Sequence, residues 1–206
     1  MKPPSAPVPG LRERKKMKTR AGIQQHALRL FRTQGYAATT VEQIAAAAEI
    51  SPSTFFRYFK SKEDVVLQDG LDAMLVEAFR SQPADLGPIA ALRGATRAVF
   101  ATLGPEGWEA ARQRAELVAS VPELQAGTLK EFARTLDIIG GSVAERVGRA
   151  PGNFEVRTFA GAVLGVIMAA WLATATDPET PLDAFIDRGL AHLEAGLPLE
   201  RGPSGA

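Results

Sequence analysis

The sequence predicts an all-α fold. Apolar residues recur at three- and four-residue spacing along most of the chain, Pro and Gly interrupt that pattern between runs, and no stretch alternates with a period of two for long enough to make a strand. About nine helices are expected: an N-terminal head of three, then a larger helical body. With 206 residues and 46% apolar content, one large or two small domains can close a sizeable core.

Residues 1–10 are Pro-rich and lack an apolar run, so they read as a disordered leader rather than a signal peptide. The leader is placed at 1–17. The first helix is expected over about Lys18–Gln34, with Ile23, Ala27, Leu30 and Phe31 on one face and Gly35 as a left-handed stop. Thr40 and Gln43 have the spacing of a capping box at the start of the second helix, whose inner face is Val41, Ile44, Ala45 and Ala48. Ser51 caps the third, and Pro52 occupies its first position, where a missing N–H costs nothing. Phe55 and Phe59 lie four apart and face inward, which leaves Ser53, Thr54, Phe56, Arg57 and Tyr58 on the outer and N-terminal surfaces. That is the layout of a helix that enters a DNA major groove by its N-terminal end, although paired short helices also occur in all-α proteins that never meet DNA. A fourth helix opens near Lys62 and places Leu67, Leu71, Met74, Leu75 and Ala78 on one face, with Gly70 inside it, read equally as a bend or close approach and as tolerated drift. Pro and Gly between residues 82 and 88 break the chain. Further helices are expected over about 88–103, 106–120 and 122–148, the last with Phe132, Leu136, Ile139 and Val143 as its stripe.

Residues 158–176 carry no charge, which is nearly enough to span a bilayer, and Gly161 and Gly165 have small-xxx-small spacing. The high Ala content and the lack of a basic flank argue for a helix buried on both sides in a protein with no membrane contact. One face then meets its own core and the other a second copy. With the amphipathic last helix (Leu182, Phe185, Ile186, Leu190, Leu193, Leu197) it suits a four-helix homodimer interface, for which Phe159, Val163, Ile167, Trp171, Phe185 and Leu193 are the candidates.

The near-neutral total hides two oppositely charged halves. Residues 1–62 hold twelve Lys or Arg against three acids, a balance of +9, while residues 63–206 come to −8. A head that binds a polyanion explains the segregation, because each neutralised phosphate releases condensed counterions. Leu11–Arg20 is the most basic stretch, and reads equally as an arm on the phosphates or minor groove and as a solvated tail. There is no cysteine, the two histidines (His26 and His192) lie far apart in the chain, and neither a Gly-rich phosphate loop nor metal-ligand spacing occurs. No enzymatic activity, metal or cofactor is expected, and the cytoplasm is the expected location.

Ala27-Leu28-Arg29-Leu30-Phe31, Gly35-Tyr36, Thr39-Thr40-Val41-Glu42-Gln43-Ile44-Ala45, Ser53-Thr54-Phe55-Phe56-Arg57-Tyr58-Phe59 and Lys62-Glu63 stand in the order and spacing of the TetR family of transcriptional regulators, which the chain resembles over about residues 18–80. The resemblance implies a helix-turn-helix DNA-binding domain at 18–62 and a ligand-binding and dimerisation domain at 63–200. Thr39 and Thr40, at a helix N-terminus, are placed to hold a phosphate by backbone N–H groups. By resemblance, Tyr58 and Lys62 hold phosphates. Ser53, Thr54 and Arg57 then read bases, with Arg57 the candidate for guanine and Phe56 packing on a thymine methyl or a sugar. Most members carry an aromatic such as Tyr where this chain has Phe56, so a hydroxyl is missing there.

Within the family the wording is most similar to the mycofactocin-system regulators, whose C-terminal domain senses long-chain acyl-CoA. The expected function is a ligand-responsive repressor that binds a palindromic double-stranded DNA operator as a dimer. Met74, Phe100, Leu103, Trp108, Leu117, Phe132 and Leu136 are read either as core or as the lining of a site for a small apolar ligand. Arg93, Arg97, Arg112 and Arg114 either meet the phosphates of a CoA thioester or are solvated. The alternatives are a regulator of an efflux pump that senses drug-like aromatics, and an architectural DNA-binding protein without ligand control.

Overall fold

The computed structural model of the chain describes residues 11–68, 70–177 and 181–199. Ten α-helices and no strand occur among these residues: α1 (Leu11–Gln34), α2 (Val41–Ala47), α3 (Pro52–Tyr58), α4 (Lys62–Leu67), α5 (Leu71–Arg80), α6 (Pro88–Phe100), α7 (Pro105–Ser120), α8 (Pro122–Val147), α9 (Phe154–Thr176) and α10 (Leu182–Glu194). The expectation of a disordered residue 1–10 leader lies outside the described residues. Residues 11–17, also placed in that leader, are helical, so α1 starts well before Lys18.

The extra helix comes from a break in the expected fourth one. α4 stops at Leu67 with Gln68 as its C-cap, and Gly70, at φ +82, is the N-cap of α5 instead of sitting inside a continuous helix. A left-handed backbone costs an L-residue about 1–2 kcal/mol, and glycine avoids the cost.

The chain forms two compact units. The first holds the segment through Asp69 together with Pro105–Glu131; the second holds Gly70–Gly104 and the chain from Phe132 onward. In the first unit α7 and the first turns of α8 therefore stand with α1–α4. In that unit α1 packs on α2, α4 and α7, and α2 on α3. Ile23, Ala27, Leu28 and Phe31 of α1 are buried, as are Ile44, Ala45, Phe55, Phe59, Val65 and Val66. Leu28 takes the core position expected of Leu30, which is half-buried. Gly35 ends α1 with φ +86 and donates its N–H to the Phe31 carbonyl at 3.0 Å.

In the second unit α5 packs on α6, and α10 packs on both α6 and α9. Phe79, Ala91, Ala95, Val99, Ile139, Val143, Ala160, Val163, Ile186 and Leu190 make its core. Arg146 closes the end of α5, donating to the carbonyls of Phe79, Pro83 and Leu86.

Candidate nucleic-acid interface

Both short helices of the motif begin with a side-chain cap. Thr40 Oγ1 accepts from the Gln43 N–H at 3.3 Å while Gln43 Oε1 accepts from the Thr40 N–H at 2.9 Å, the reciprocal box expected from the sequence. Between the helices the Ile50 N–H reaches the Ala45 carbonyl at 2.9 Å and the Glu49 N–H that of Ala46 at 3.1 Å. This Schellman closure puts Glu49 at φ +54, a conformation that usually falls to glycine. Ser51 Oγ accepts from the Thr54 N–H at 3.1 Å and lies 2.9 Å from Ser53 Oγ and 3.0 Å from Thr54 Oγ1. Three hydroxyls thus share one hydrogen-bond hub at the N-terminus of α3.

Phe55 and Phe59 anchor α3, with 0% and 1% of their surface exposed. The opposite side faces outward: Ser53, Phe56 and Arg57 are exposed, and Thr54 and Tyr58 half-buried. The Arg57 guanidinium stands 5.5 Å from the Tyr58 ring centre. These five expected DNA-contacting residues therefore share one short helix.

The other three stand outside α3. Thr39 is 1% exposed, donates its hydroxyl to the Gly35 carbonyl at 2.8 Å and spends its N–H on the Tyr36 carbonyl at 3.2 Å. The Thr40 N–H is taken by Gln43. Both amides have acceptors within the head, and Glu42 stands in that first turn; its own backbone N–H and the Thr40 hydroxyl keep its carboxyl below the ordinary range. Lys62 turns inward: Nζ donates to the carbonyls of Tyr36 at 2.9 Å and Thr39 at 3.2 Å and sits 4.2 Å from the Tyr36 ring centre. It ties α4 to the turn between α1 and α2.

Sequence reasoning also missed Arg20, counted there with the basic arm. Its Nη1 donates to the Tyr58 carbonyl at 3.1 Å, its Nη2 to the Gln68 carbonyl at 3.1 Å, and its guanidinium lies 4.2 Å from the Phe59 ring centre. Gln24 Nε2 donates to the carbonyls of Val65 at 3.1 Å and Gln68 at 2.7 Å. The signal was helical phase: Arg20 and Gln24 fall on the stripe of Ala27 and Phe31. Arg12, Lys15, Lys16, Lys18, Arg29, Arg32 and Lys60 remain exposed, so the head keeps its positive surface.

In the body the candidate ligand residues divide between the units. Met74, Phe100, Leu103, Phe132 and Leu136 belong to the second, Trp108 and Leu117 to the first. Arg93 and Arg97 are not free for CoA phosphates, since Arg93 forms a two-point pair with Asp187 at 3.0 Å and Arg97 joins it at 3.1 Å. Arg112 pairs with Glu109 and Glu116 on its own helix. Of the candidate interface residues, Val163 is 2% exposed within its own protomer, so it has no surface to give a partner. Phe159, Ile167, Trp171, Phe185 and Leu193 are half-buried. The outward face of α9 is instead Phe154, Thr158, Gly161, Gly165, Ala169 and Leu172. No cluster of His, Cys, Asp and Glu suited to a metal occurs among the described residues.

Residues 23–68 match the family of bacterial regulatory proteins named tetR, and residues 86–198 match the MftR C-terminal domain. The chain is 39% identical over 203 residues to the HTH-type transcriptional regulator TcmR of Streptomyces glaucescens, covering 92% of this chain and 88% of that protein. It is 29% identical to the putative mycofactocin biosynthesis transcriptional regulator MftR of Mycobacterium tuberculosis, with 89% and 93% covered. Among solved structures it is similar to Thermus thermophilus FadR, a TetR-family repressor in complex with lauroyl-CoA, at a TM-score of 0.54 and 25% identity over 91% of this chain and 99% of that one. The chain is a DNA-binding transcriptional regulator and not an enzyme, and it belongs to the TetR family, with a C-terminal domain of the MftR type.

Proposed function

We propose that the chain is a homodimeric repressor in which two copies of α3 read the half-sites of a palindromic operator and a long-chain acyl-CoA releases the DNA. The observation that carries the DNA part is the outward face of α3, where Ser53, Phe56 and Arg57 stand exposed on a helix fixed by Phe55 and Phe59. A head held this firmly loses little conformational entropy on docking.

Dimerisation is supported by α9. From Phe154 to Thr174 it is long and apolar enough to cross a membrane by length and composition, with 22% of that window buried. Val156, Ala160, Val163 and Ala170 face the core of its own protomer. We assign its outward face to a second copy and the protein to the cytoplasm, where its DNA is.

The acyl-CoA reading is supported by the MftR-type domain and by the lauroyl-CoA held by FadR. The acyl chain is the part for which unit 2 has apolar side chains, in Met74, Phe100, Leu103, Phe132 and Leu136. With Arg93, Arg97 and Arg112 committed to carboxylates, the nucleotide end must find other cations. Release requires the ligand to prefer the conformation that does not bind DNA; equal affinity for both shifts nothing. The test is a titration of the operator complex with lauroyl-CoA, palmitoyl-CoA and free CoA. Acyl-CoA should dissociate the complex and free CoA should not. Release by aromatic compounds alone would replace the ligand assignment and leave the DNA-binding role in place.

A further inference from the structure

We propose that Glu49 is an electrostatic brake on DNA binding: its carboxylate, in the turn between α2 and α3, lowers the affinity of the head for any duplex, whatever the sequence. The proposal rests on the reading given above, in which α3 docks on the operator. Among the described residues nothing in the fold calls for a glutamate at this position. The turn is closed by backbone groups, the N–H of Glu49 on the Ala46 carbonyl and that of Ile50 on the Ala45 carbonyl. A glycine would close it in the same way without the left-handed strain that an L-residue carries at φ +54. The Glu49 side chain is exposed and, among the described residues, has no hydrogen bond or ion pair. It also follows directly on Ala48, the C-cap of α2, at the helix end whose open carbonyls disfavour an anion. Glu42, by contrast, stands in the first turn of α2, where the N–H groups favour one. Conformation, contacts and helix dipole all oppose Glu49, and a residue held against its local preferences points to a role outside the fold.

Position and sign give that role. Glu49 stands two residues before Ser51, the N-cap of α3, so their Cα atoms are at most about 7 Å apart. The Debye length is about 10 Å at 0.1 M salt, so phosphates that approach the start of α3 come within reach of this charge. Residues 1–62 set twelve Lys and Arg against Glu13, Glu42 and Glu49. A head so cationic binds any duplex by counterion release, and non-operator DNA competes in great excess. One carboxylate per head, two in a dimer, subtracts from that sequence-independent attraction and leaves the base contacts of α3 whole. The protein then leaves random DNA readily. The operator complex also sits closer to the affinity at which a ligand with modest preference for the free form dissociates it.

The test compares the full-length protein with Glu49→Gln, which removes the charge and keeps the shape and the backbone strain, and with Glu49→Gly, which removes both. Each is titrated with an operator selected from a pool of random duplexes and with a scrambled duplex of the same composition. At about 50 mM salt Glu49→Gln should bind both duplexes about two- to fivefold more tightly, with the ratio between them unchanged. The gain should fade as added salt shortens the Debye length. Glu49→Gly should show the same gain and a raised melting temperature, while Glu49→Gln melts with the wild type. Wild-type affinity of Glu49→Gln for both duplexes overturns the proposal and leaves the carboxylate a solvated bystander. Weaker binding of Glu49→Gln to the operator alone overturns it too, because the carboxylate would then be accepting from a base such as the cytosine amino group. A pool that yields no enriched sequence overturns the docking of α3 itself, and the proposal with it.

Discussion

Arg20 lays its guanidinium over the ring of Phe59, 4.2 Å from its centre, and from there donates to the carbonyl of Tyr58 at 3.1 Å. One side chain of α1 thereby grips the C-terminal end of α3 through a ring contact and a backbone carbonyl. Arg20→Ala removes both and takes the Arg20 donor from the Tyr58 carbonyl, while Gln24 still serves that of Gln68, a loss of about 1–3 kcal/mol. The melting temperature should fall, and affinity for operator and random duplexes should fall together, since the substitution disturbs the placement of α3. Arg20→Lys should recover little, because an ammonium lacks the planar fork that serves the Tyr58 and Gln68 carbonyls at once. An Arg20→Ala variant with an unchanged melting temperature and weakened DNA binding would return Arg20 to the phosphate-binding arm.

Lys62 is separable from a phosphate contact by salt. With Nζ on the Tyr36 and Thr39 carbonyls, Lys62→Met should lower thermal stability and leave the slope of log affinity against log salt near the wild-type value. Removing a lysine that neutralises a phosphate would instead reduce the magnitude of that slope by about 0.9. Binding isotherms across a series of salt concentrations decide between the two.

Arg57→Ala should relax discrimination at one base pair per half-site by about 1–3 kcal/mol, with a smaller effect on random DNA. Equal losses on both would show the guanidinium to be a phosphate contact, and competition assays with point-substituted duplexes read the difference.

These residues mark where the sequence was readable. The Thr40–Gln43 box, the Ser51 cap and the Gly35 stop are local devices whose partners lie within four residues, so residue type and spacing were enough to find them. Phe55 and Phe59 followed from helical period. The carbonyl contacts of Lys62 and Arg20 could not be read because their acceptors lie 23 to 48 residues away, and in the sequence a cation that serves a carbonyl looks like one that serves DNA. The Gly70 break escaped for a different reason: the apolar stripe runs straight through it, and periodicity carries no sign of φ. The ligand residues were legible as apolar but not as a group, since side chains from α5 to α8 are shared between two units only after folding.

Asp187 gives a pH prediction. Hydrogen bonds from Arg93 and then Arg97 outweigh its partial burial and hold its carboxyl below the ordinary aspartate value. A depressed folded-state pKa contributes stability that is complete above the unfolded value of about 3.9 and is lost as pH falls through the folded one. Chemical-denaturation midpoints should be insensitive to this group from neutral pH down to about 4 and decline below it. Asp187→Asn should lower stability at pH 7 and flatten that acid limb. An identical acid limb in the variant would assign the decline to other carboxylates.

Gly161, Gly165 and Gly189 separate contacts inside a protomer from contacts between copies. A Cβ at Gly189 of α10 would stand 2.5 Å from Cγ1 of Val166, whose β-branched side chain has little freedom to move. Gly189→Ala should therefore cost about 1–3 kcal/mol in any oligomeric state. A Cβ at Gly161 or Gly165 of α9 meets nothing within 4 Å. In an isolated protomer Gly165→Ala should stabilise the helix by up to about 1 kcal/mol, because nothing in the protomer opposes the gain in helix propensity. If another α9 crosses there at close range, the same methyl obstructs it, and Gly165→Leu should yield helical monomers by sedimentation at micromolar concentration. Melting temperature should then lose its dependence on protein concentration, which accompanies a dimer that stabilises its subunits. Gly165→Leu that still sediments as the wild type does would remove this face from any contact between copies.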